Sequence, residues 1–179
     1  LMYVLLPIKN LQSPLDIAAK LAADEAYQKA GSAYINAVYT DASYTRMETI
    51  FLQAFAFAPR LQTPVLSGPK SDRVFELRSY ESATEKIYRN KVHMFNEGGE
   101  IELFKRLNFN AVFYGDVIAG GKMPNLMYMT CFENRADRDA HWKAFSADAQ
   151  WKQLSAMPEY QHNVSHIDIS FLRPTEYSD

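Results

Sequence analysis

The clearest pattern along the chain is an alternation of apolar and polar positions at 74–80, where Phe75 and Leu77 share one face and polar side chains share the other. Such alternation is typical of a strand with one buried face. The segment Ser82-Ala83-Thr84-Glu85 then has the spacing of a capping box, which predicts the start of a helix. Gly98-Gly99 is expected to weaken or kink that helix.

Similar patterns predict regular elements to the end of the chain. They are, in order, a strand at 74–80, a helix at 82–107, strands at 110–118 and 126–132, a helix at 135–156 and a strand at 164–172. Gly120-Gly121 and Pro124-Asn125 predict the turn of a hairpin between the two middle strands. The order βαββαβ predicts an α+β fold of the ferredoxin-like type, an antiparallel sheet with both helices on one face. Two such sheets can pack face to face as an α+β barrel.

Breaker residues divide the chain. Pro59, Pro64, Gly68 and Pro69 lie in a stretch without apolar periodicity, so 58–72 is interpreted as a linker. The segment 73–179 is then a complete ferredoxin-like domain, and 1–57 belongs to another unit.

Three short matches suggest that this other unit is a repeat of the first. They pair Leu1-Met2-Tyr3 with Leu126-Met127-Tyr128, Ala23-Asp24 with Ala147-Asp148, and Phe51-Leu52 with Phe171-Leu172. The order is kept, which favours a tandem repeat. On this interpretation 1–57 is the second half, β-α-β, of a first repeat, and about 70 or more residues are expected ahead of Leu1. A targeting signal could lie among them, so the compartment stays open.

Composition narrows the class of protein. With 19 basic and 21 acidic residues, a net charge of -2 and 47% apolar side chains, the chain is expected to be a soluble globular protein without a basic field for nucleic acid. No apolar run reaches the roughly 20 residues of a membrane span. Cys131 is the only cysteine, which excludes an internal disulfide.

Two chemical motifs are weak. The run Gly115–Lys122 superficially suggests a phosphate loop, but Asp116 stands where the first glycine is required and Met123 replaces the metal-binding Ser or Thr. No recognised metal spacing joins the histidines, so neither a metal nor a cofactor is predicted. The histidines are His93, His141, His162 and His166.

The segment 73–179 resembles the NIPSNAP family. The segments that carry the resemblance are Val74-Phe75-Glu76-Leu77-Arg78-Ser79-Tyr80, Leu107-Asn108-Phe109-Asn110, Pro124-Asn125-Leu126-Met127-Tyr128, Trp142-Lys143-Ala144-Phe145 and Phe171-Leu172-Arg173-Pro174. The resemblance implies a dimeric α+β barrel, formed within one chain or by a homo-oligomer. It implies a fold more than an activity, since the family has no generally accepted catalytic mechanism.

Strand phase supplies a candidate site. If Phe75 and Leu77 face the helices, the alternate polar side chains face the barrel interior, and the same reasoning applies to the other strands. In the strand order 4-1-3-2 the first and last strands are neighbours, so Arg78 is expected to pair with Asp168. The candidate residues of the barrel interior are Glu76, Arg78, Tyr80, Tyr114, His166 and Asp168.

Two functions remain open for this set. Buried charges persist when paired, so the residues could form a network that only fixes sheet packing. They could instead line a small-molecule pocket, with Arg78 binding an anion and His166 or Asp168 accepting a proton. The first alternative suits a binding or assembly module, which the lack of a nucleophile-base signature around Cys131 favours. The second suits a cofactor-free oxygenase or isomerase, or a haem-handling protein, by fold analogy.

Overall fold

The computed structural model describes residues 1–178 and divides the chain into two compact units, Leu1–Glu48 and Thr49–Asp179. The first unit contains three helices: α1 (Ser13–Ala23), α2 (Glu25–Ala30) and α3 (Ser32–Ile35). Asp24 begins α2, because its carboxylate accepts a hydrogen bond from the backbone N–H of Tyr27 at 2.8 Å.

The strand predicted at the N-terminus is not formed. Residues 1–8 carry no strand, since they join none of the described ladders and a strand exists only through its pairing. The other strand expected within 1–57 is present as β1 (Phe51–Ala54), and it belongs to the second unit, where it extends the sheet. That 1–57 derives from a repeat stays a prediction.

The second unit is built on one antiparallel sheet of five strands in the order β1-β3-β4-β2-β5. The four further strands are β2 (Val74–Glu81), β3 (Ala111–Ala119), β4 (Asn125–Phe132) and β5 (His166–Leu172). Without β1, this is the ferredoxin-like order that the βαββαβ pattern predicts, with the first and last strands adjacent. The predicted α+β fold is confirmed.

Each predicted long helix of this unit is formed as two shorter ones. They are α4 (Glu85–Phe95) and α5 (Glu100–Arg106), and α6 (Arg135–Ala147) and α7 (Ala149–Ala156). Gly99, with φ of 87°, adopts the left-handed conformation that separates the first two. Asp148 separates the second two, because its carboxylate accepts hydrogen bonds from the backbone N–H groups of Gln150 and Trp151 at the start of α7. Short 3-10 helices occur at Lys70–Asp72 and Pro158–Tyr160.

Both faces of the sheet are packed. The face that carries the helices holds an aromatic core in which Phe95, Phe109 and Tyr128 are fully buried. The opposite face holds a second cluster of Leu77, Val112, Val117, Met127, Met129 and Cys131.

Part of the segment interpreted as a linker packs on this second unit. Leu66 contacts the second cluster, and the carboxylate of Glu133 accepts hydrogen bonds from the backbone N–H groups of Ser67 and Gly68, both at 2.7 Å. Backbone hydrogen bonds to a carboxylate are charge-assisted and therefore strong. The boundary between the two units lies between Glu48 and Thr49.

Among the described residues, no helix is both long enough and apolar enough to cross a membrane.

Gly98→Ala is expected to destabilise the second unit. A Cβ at this position would lie 2.6 Å from the backbone oxygen of Met94 and 2.9 Å from its Cα, so backbone would have to move. The expected loss in the free energy of unfolding is roughly 1–3 kcal/mol, measured by urea denaturation. Glu97→Ala, at the exposed neighbouring position, is the control and should change little. Equal stability of the two variants would contradict the prediction.

Candidate functional site

The centre of the candidate site is the carboxylate of Glu76, which lies on β2 and is fully buried. Its Oε1 accepts hydrogen bonds from Arg78 Nε at 2.7 Å and Arg138 Nη2 at 2.8 Å. Its Oε2 accepts from Arg138 Nε at 2.6 Å and Trp142 Nε1 at 2.9 Å. Two guanidinium groups and one indole therefore satisfy both oxygens, as a buried charge requires.

Arg78 extends the network along the sheet. Its guanidinium lies 3.7 Å from the centre of the Trp142 ring, a cation–π contact, and its Nη1 donates to Tyr80 Oη at 3.0 Å. The hydroxyls of Tyr80 and Tyr128 are 2.8 Å apart. A continuous hydrogen-bonded chain thus runs from the carboxylate through the guanidinium to two phenols.

The ionisation states in this network are firmly set. Burial acts to raise the pKa of Glu76, but the hydrogen bonds from Arg138 and the charge of Arg78 outweigh it and hold that pKa below its ordinary value. Burial raises the pKa of Tyr128 well above its ordinary value. At neutral pH the first group is a carboxylate and the second a neutral phenol. Neither has a pKa near neutrality, where a general acid or base works best.

The predicted phase of β2 is wrong. Glu76, Arg78 and Tyr80 face the helices and their aromatic core, whereas Phe75 and Leu77 lie on the opposite face with the second cluster. The reason is that α6 supplies hydrogen-bond donors that offset the free-energy cost of burying a charge. Apolarity alone therefore does not identify the helix-facing side of β2. These three residues do not face a barrel interior.

The remaining candidates are divided between the two faces. Tyr114 shares the helix-facing side, with its ring centre 5.7 Å from that of Tyr128, and burial raises its pKa. His166 and Asp168 lie on the other side of the sheet, as predicted for β5. Asp168 is paired in register with Ser79, and Arg78 with Ile169. The expected pair of Arg78 and Asp168 is therefore not formed.

Asp168 belongs to a separate group of charges at one end of the sheet. Its carboxylate binds the ammonium group of Lys122 and lies 3.2 Å from His166 Nε2. Glu81 completes the group. One side-chain oxygen or nitrogen from each of Glu81, His166 and Asp168 lies within 4.8 Å of the other two. Metal ligands could converge here, and in the structure the ammonium of Lys122 supplies positive charge to them.

Sequence reasoning missed the two partners that α6 provides. Arg138 and Trp142 are four residues apart, so they lie on one face of a helix. That spacing was available as a signal. What it could not reveal is the contact with Glu76, which is more than 60 positions away in the chain.

Comparisons with known proteins agree with this architecture. The element order and sheet topology define a ferredoxin-like α+β protein, and the sequence model of the NIPSNAP family matches residues 75–179. Since this match covers more than half of the sequence, the chain belongs to the NIPSNAP family.

Solved structures show the same fold. An uncharacterized NIPSNAP-like domain protein from Burkholderia xenovorans has a TM-score of 0.54 and 16% identity, with 61% of this chain and 90% of that chain covered. Two NIPSNAP family proteins from Agrobacterium tumefaciens strain C58 each have a TM-score of 0.51, with 19% and 18% identity. They cover 59% and 63% of this chain and 96% and 97% of their own, and the second is described as being of unknown function. A comparison with curated proteins finds no match.

Glu76→Gln is expected to destabilise the fold by about 3 kcal/mol or more, because it leaves two guanidinium groups without their buried counter-charge. The measurement is the free energy of unfolding in urea at neutral pH. Glu102→Gln is the control, since the side chain of Glu102 is exposed and 3.8 Å from its lysine partner. A loss within about 0.5 kcal/mol of the control would show that the network is not needed for stability.

The stabilisation from Glu76 is expected to depend on pH. Because its pKa is lowered in the folded state, the contribution is complete above the unfolded value of about 4.3 and is lost as the pH falls through the folded value. The difference in stability between the parent and Glu76→Gln should therefore be constant above about pH 5 and shrink as the pH falls from there to about pH 3. A difference that stays constant over this range would mean that protonation of Glu76 does not weaken the fold.

Proposed function

We propose that this protein is an assembly module in which β5 pairs with β5 of a second copy. The observation that carries the proposal is that β5 lies at the end of the sheet and is bonded to β2 on one side, while no described strand pairs with its outer edge. An edge strand presents unpaired backbone N–H and C=O groups, which is a template for another strand.

The side chains of this edge support the proposal. Ile167, Ile169 and Phe171 alternate along β5 on its helix-facing side and are 43%, 43% and 45% exposed. Single exposed apolar residues are common, but three in a row on an open edge are typical of an interaction surface. Arg135 of α6 lies 3.9 Å from the ring centre of Phe171 and gives the row a polar border.

The row is also self-complementary. If two β5 strands pair antiparallel about Ile169, that residue lies opposite itself, and Ile167 lies opposite Phe171 of the second copy. Asp168 then faces Ser170, so no like charges are directly opposed. A two-fold interface requires such a match of a surface to itself.

The alternative function, an enzyme or haem-handling protein that uses a barrel cavity, receives less support. Its expected anion-binding arginine, Arg78, donates a hydrogen bond to Glu76 and stacks on Trp142 of α6. The carboxylate of Glu76 accepts hydrogen bonds from α6 on the same helix-facing side. A cavity on the opposite side would lack both groups.

Ile169→Lys is the variant that tests the assembly. It places two ammonium groups opposite each other at the two-fold axis, so it should convert a dimer into a monomer of 20.5 kDa. Sedimentation equilibrium over a concentration series is the measurement. Ile118→Lys is the matched control, because Ile118 is an isoleucine of equal exposure, 44%, on β3, and it should leave the dimer intact.

A cross-link tests the register. Ile169→Cys should form a disulfide between two copies under mild oxidation. Cys131 does not compete, since it is buried and burial raises the pKa of its thiol to about 12. A monomeric parent would overturn the proposal. A dimer that survives Ile169→Lys and does not cross-link would also overturn it, and would point to face-to-face packing of the sheets.

A further inference from the structure

Three side chains of metal-binding type meet at one end of the sheet, on the face opposite the helices. Glu81 ends β2 and is paired in register with His166, the first residue of β5. Asp168 lies two residues further along β5, so its side chain shares the face of His166. One oxygen or nitrogen atom from each of the three lies within 4.8 Å of the other two. Pairing of two strands creates this group, so no local spacing in the sequence signals it.

The geometry of the group suits a small divalent ion. His166 Nε2 and Asp168 Oδ1 are 3.2 Å apart. Zn²⁺ binds nitrogen and oxygen at about 2.1 Å in tetrahedral geometry, which places two ligand atoms about 3.4 Å apart. An ion would therefore take the place of the proton that this pair shares. The side chains of Glu81, His166 and Asp168 are 29%, 59% and 39% exposed, so an ion can reach them and Glu81 has room to approach it.

The protein balances only part of the charge of this group. The ammonium of Lys122 binds Asp168 and lies 4.0 Å from a carboxylate oxygen of Glu81. With the imidazole neutral, one ammonium faces two carboxylates, which leaves one negative charge. The side chain of Lys122 is 53% exposed, and ion pairs at exposed positions contribute little to stability. A divalent ion can therefore displace this ammonium and complete the charge balance.

A buried amide oxygen beside the group lacks a partner. Asn125 is 1% exposed and is paired in register with Glu81. Its Nδ2 donates to the hydroxyl of Ser79 at 2.8 Å, and Ser79 is in turn paired in register with Asp168. Among the described residues, Asn125 Oδ1 has no hydrogen-bond partner. Unpaired buried acceptors are unfavourable, and a water molecule on a nearby ion is a donor that would pair this one.

We propose that Glu81, His166 and Asp168 bind one divalent transition-metal ion, for which Zn²⁺ is the probe. Three protein ligands leave the fourth position to water. The imidazole nitrogen favours Zn²⁺ over Mg²⁺ and Ca²⁺, which prefer oxygen ligands. The ion would join the side chains of β2 and β5 on one face of the sheet. The proposal is independent of assembly through the outer edge of β5.

Isothermal titration calorimetry of the untagged protein with Zn²⁺ at neutral pH tests the site. We expect one ion per chain, with an affinity that excess Mg²⁺ does not change. His166→Gln and Asp168→Asn should each weaken binding by at least about ten-fold. His162→Asn is the control, because His162 is an exposed histidine with φ of 58°, a conformation that asparagine also adopts. It should bind Zn²⁺ like the parent, and so should Ile169→Lys.

Two results would overturn the proposal at this stage. One is the lack of saturable Zn²⁺ binding at concentrations up to millimolar. The other is equal affinity in the parent and in His166→Gln, which would place the ion elsewhere.

Lys122→Gln separates a metal site from a group of ion pairs that serves only the fold. It removes the competing ammonium, so Zn²⁺ should bind about two- to five-fold more tightly. Lys86→Gln, at an exposed position of α4, removes the same charge away from the group and is the matched control. An affinity in Lys122→Gln that is equal to or weaker than that of the control would contradict the proposal.

Thermal melting provides a second readout. Because the ion binds the folded state, Zn²⁺ should raise the melting temperature of the parent and leave that of His166→Gln unchanged. An equal shift in both proteins, or no shift in the parent, would overturn the assignment.

Discussion

The second unit depends on the burial of one carboxylate. Glu76 lies on β2, between β4 and the edge strand β5, at zero exposure. Its four hydrogen bonds come from β2 itself and from α6. Such a charge is tolerated only where its partners are held in place. The contact therefore fixes the position of α6 against the sheet more narrowly than apolar packing would, because bidentate hydrogen bonds have strict geometry.

The elements and strand order of this unit could be predicted because their signals are local. Alternation at β2 and the glycines of the hairpin each depend on a few neighbouring residues. The capping box correctly signals a helix start, but the cap is the hydroxyl of Thr84, whereas that of Ser82 donates to the backbone oxygen of Asn163. The breaks at Gly99 and Asp148 were only partly predictable. Glycine signals a weak point by itself, whereas an aspartate ends a helix only when its carboxylate turns to the next backbone N–H groups.

The site could not be predicted to the same degree. If apolarity alone is used to assign the buried face of β2, Phe75 and Leu77 are placed toward the helices. In the structure both faces of this sheet are buried, and the helix-facing one includes charged side chains. The orientation of β2 is determined by the contacts of Glu76 with Arg138 and Trp142, and local patterns on β2 cannot reveal these contacts. On β5, where no charge is buried, the same apolar rule gives the right face.

Arg138 links the interior to the open edge of the sheet. Its guanidinium binds Glu76 and also lies 5.3 Å from the ring centre of Phe171 on β5. A partner strand that covers Phe171 would also take water away from this guanidinium and strengthen its bond to the carboxylate. If the proposed pairing through β5 forms, folding and association are thermodynamically linked, and the melting temperature is expected to rise with the protein concentration.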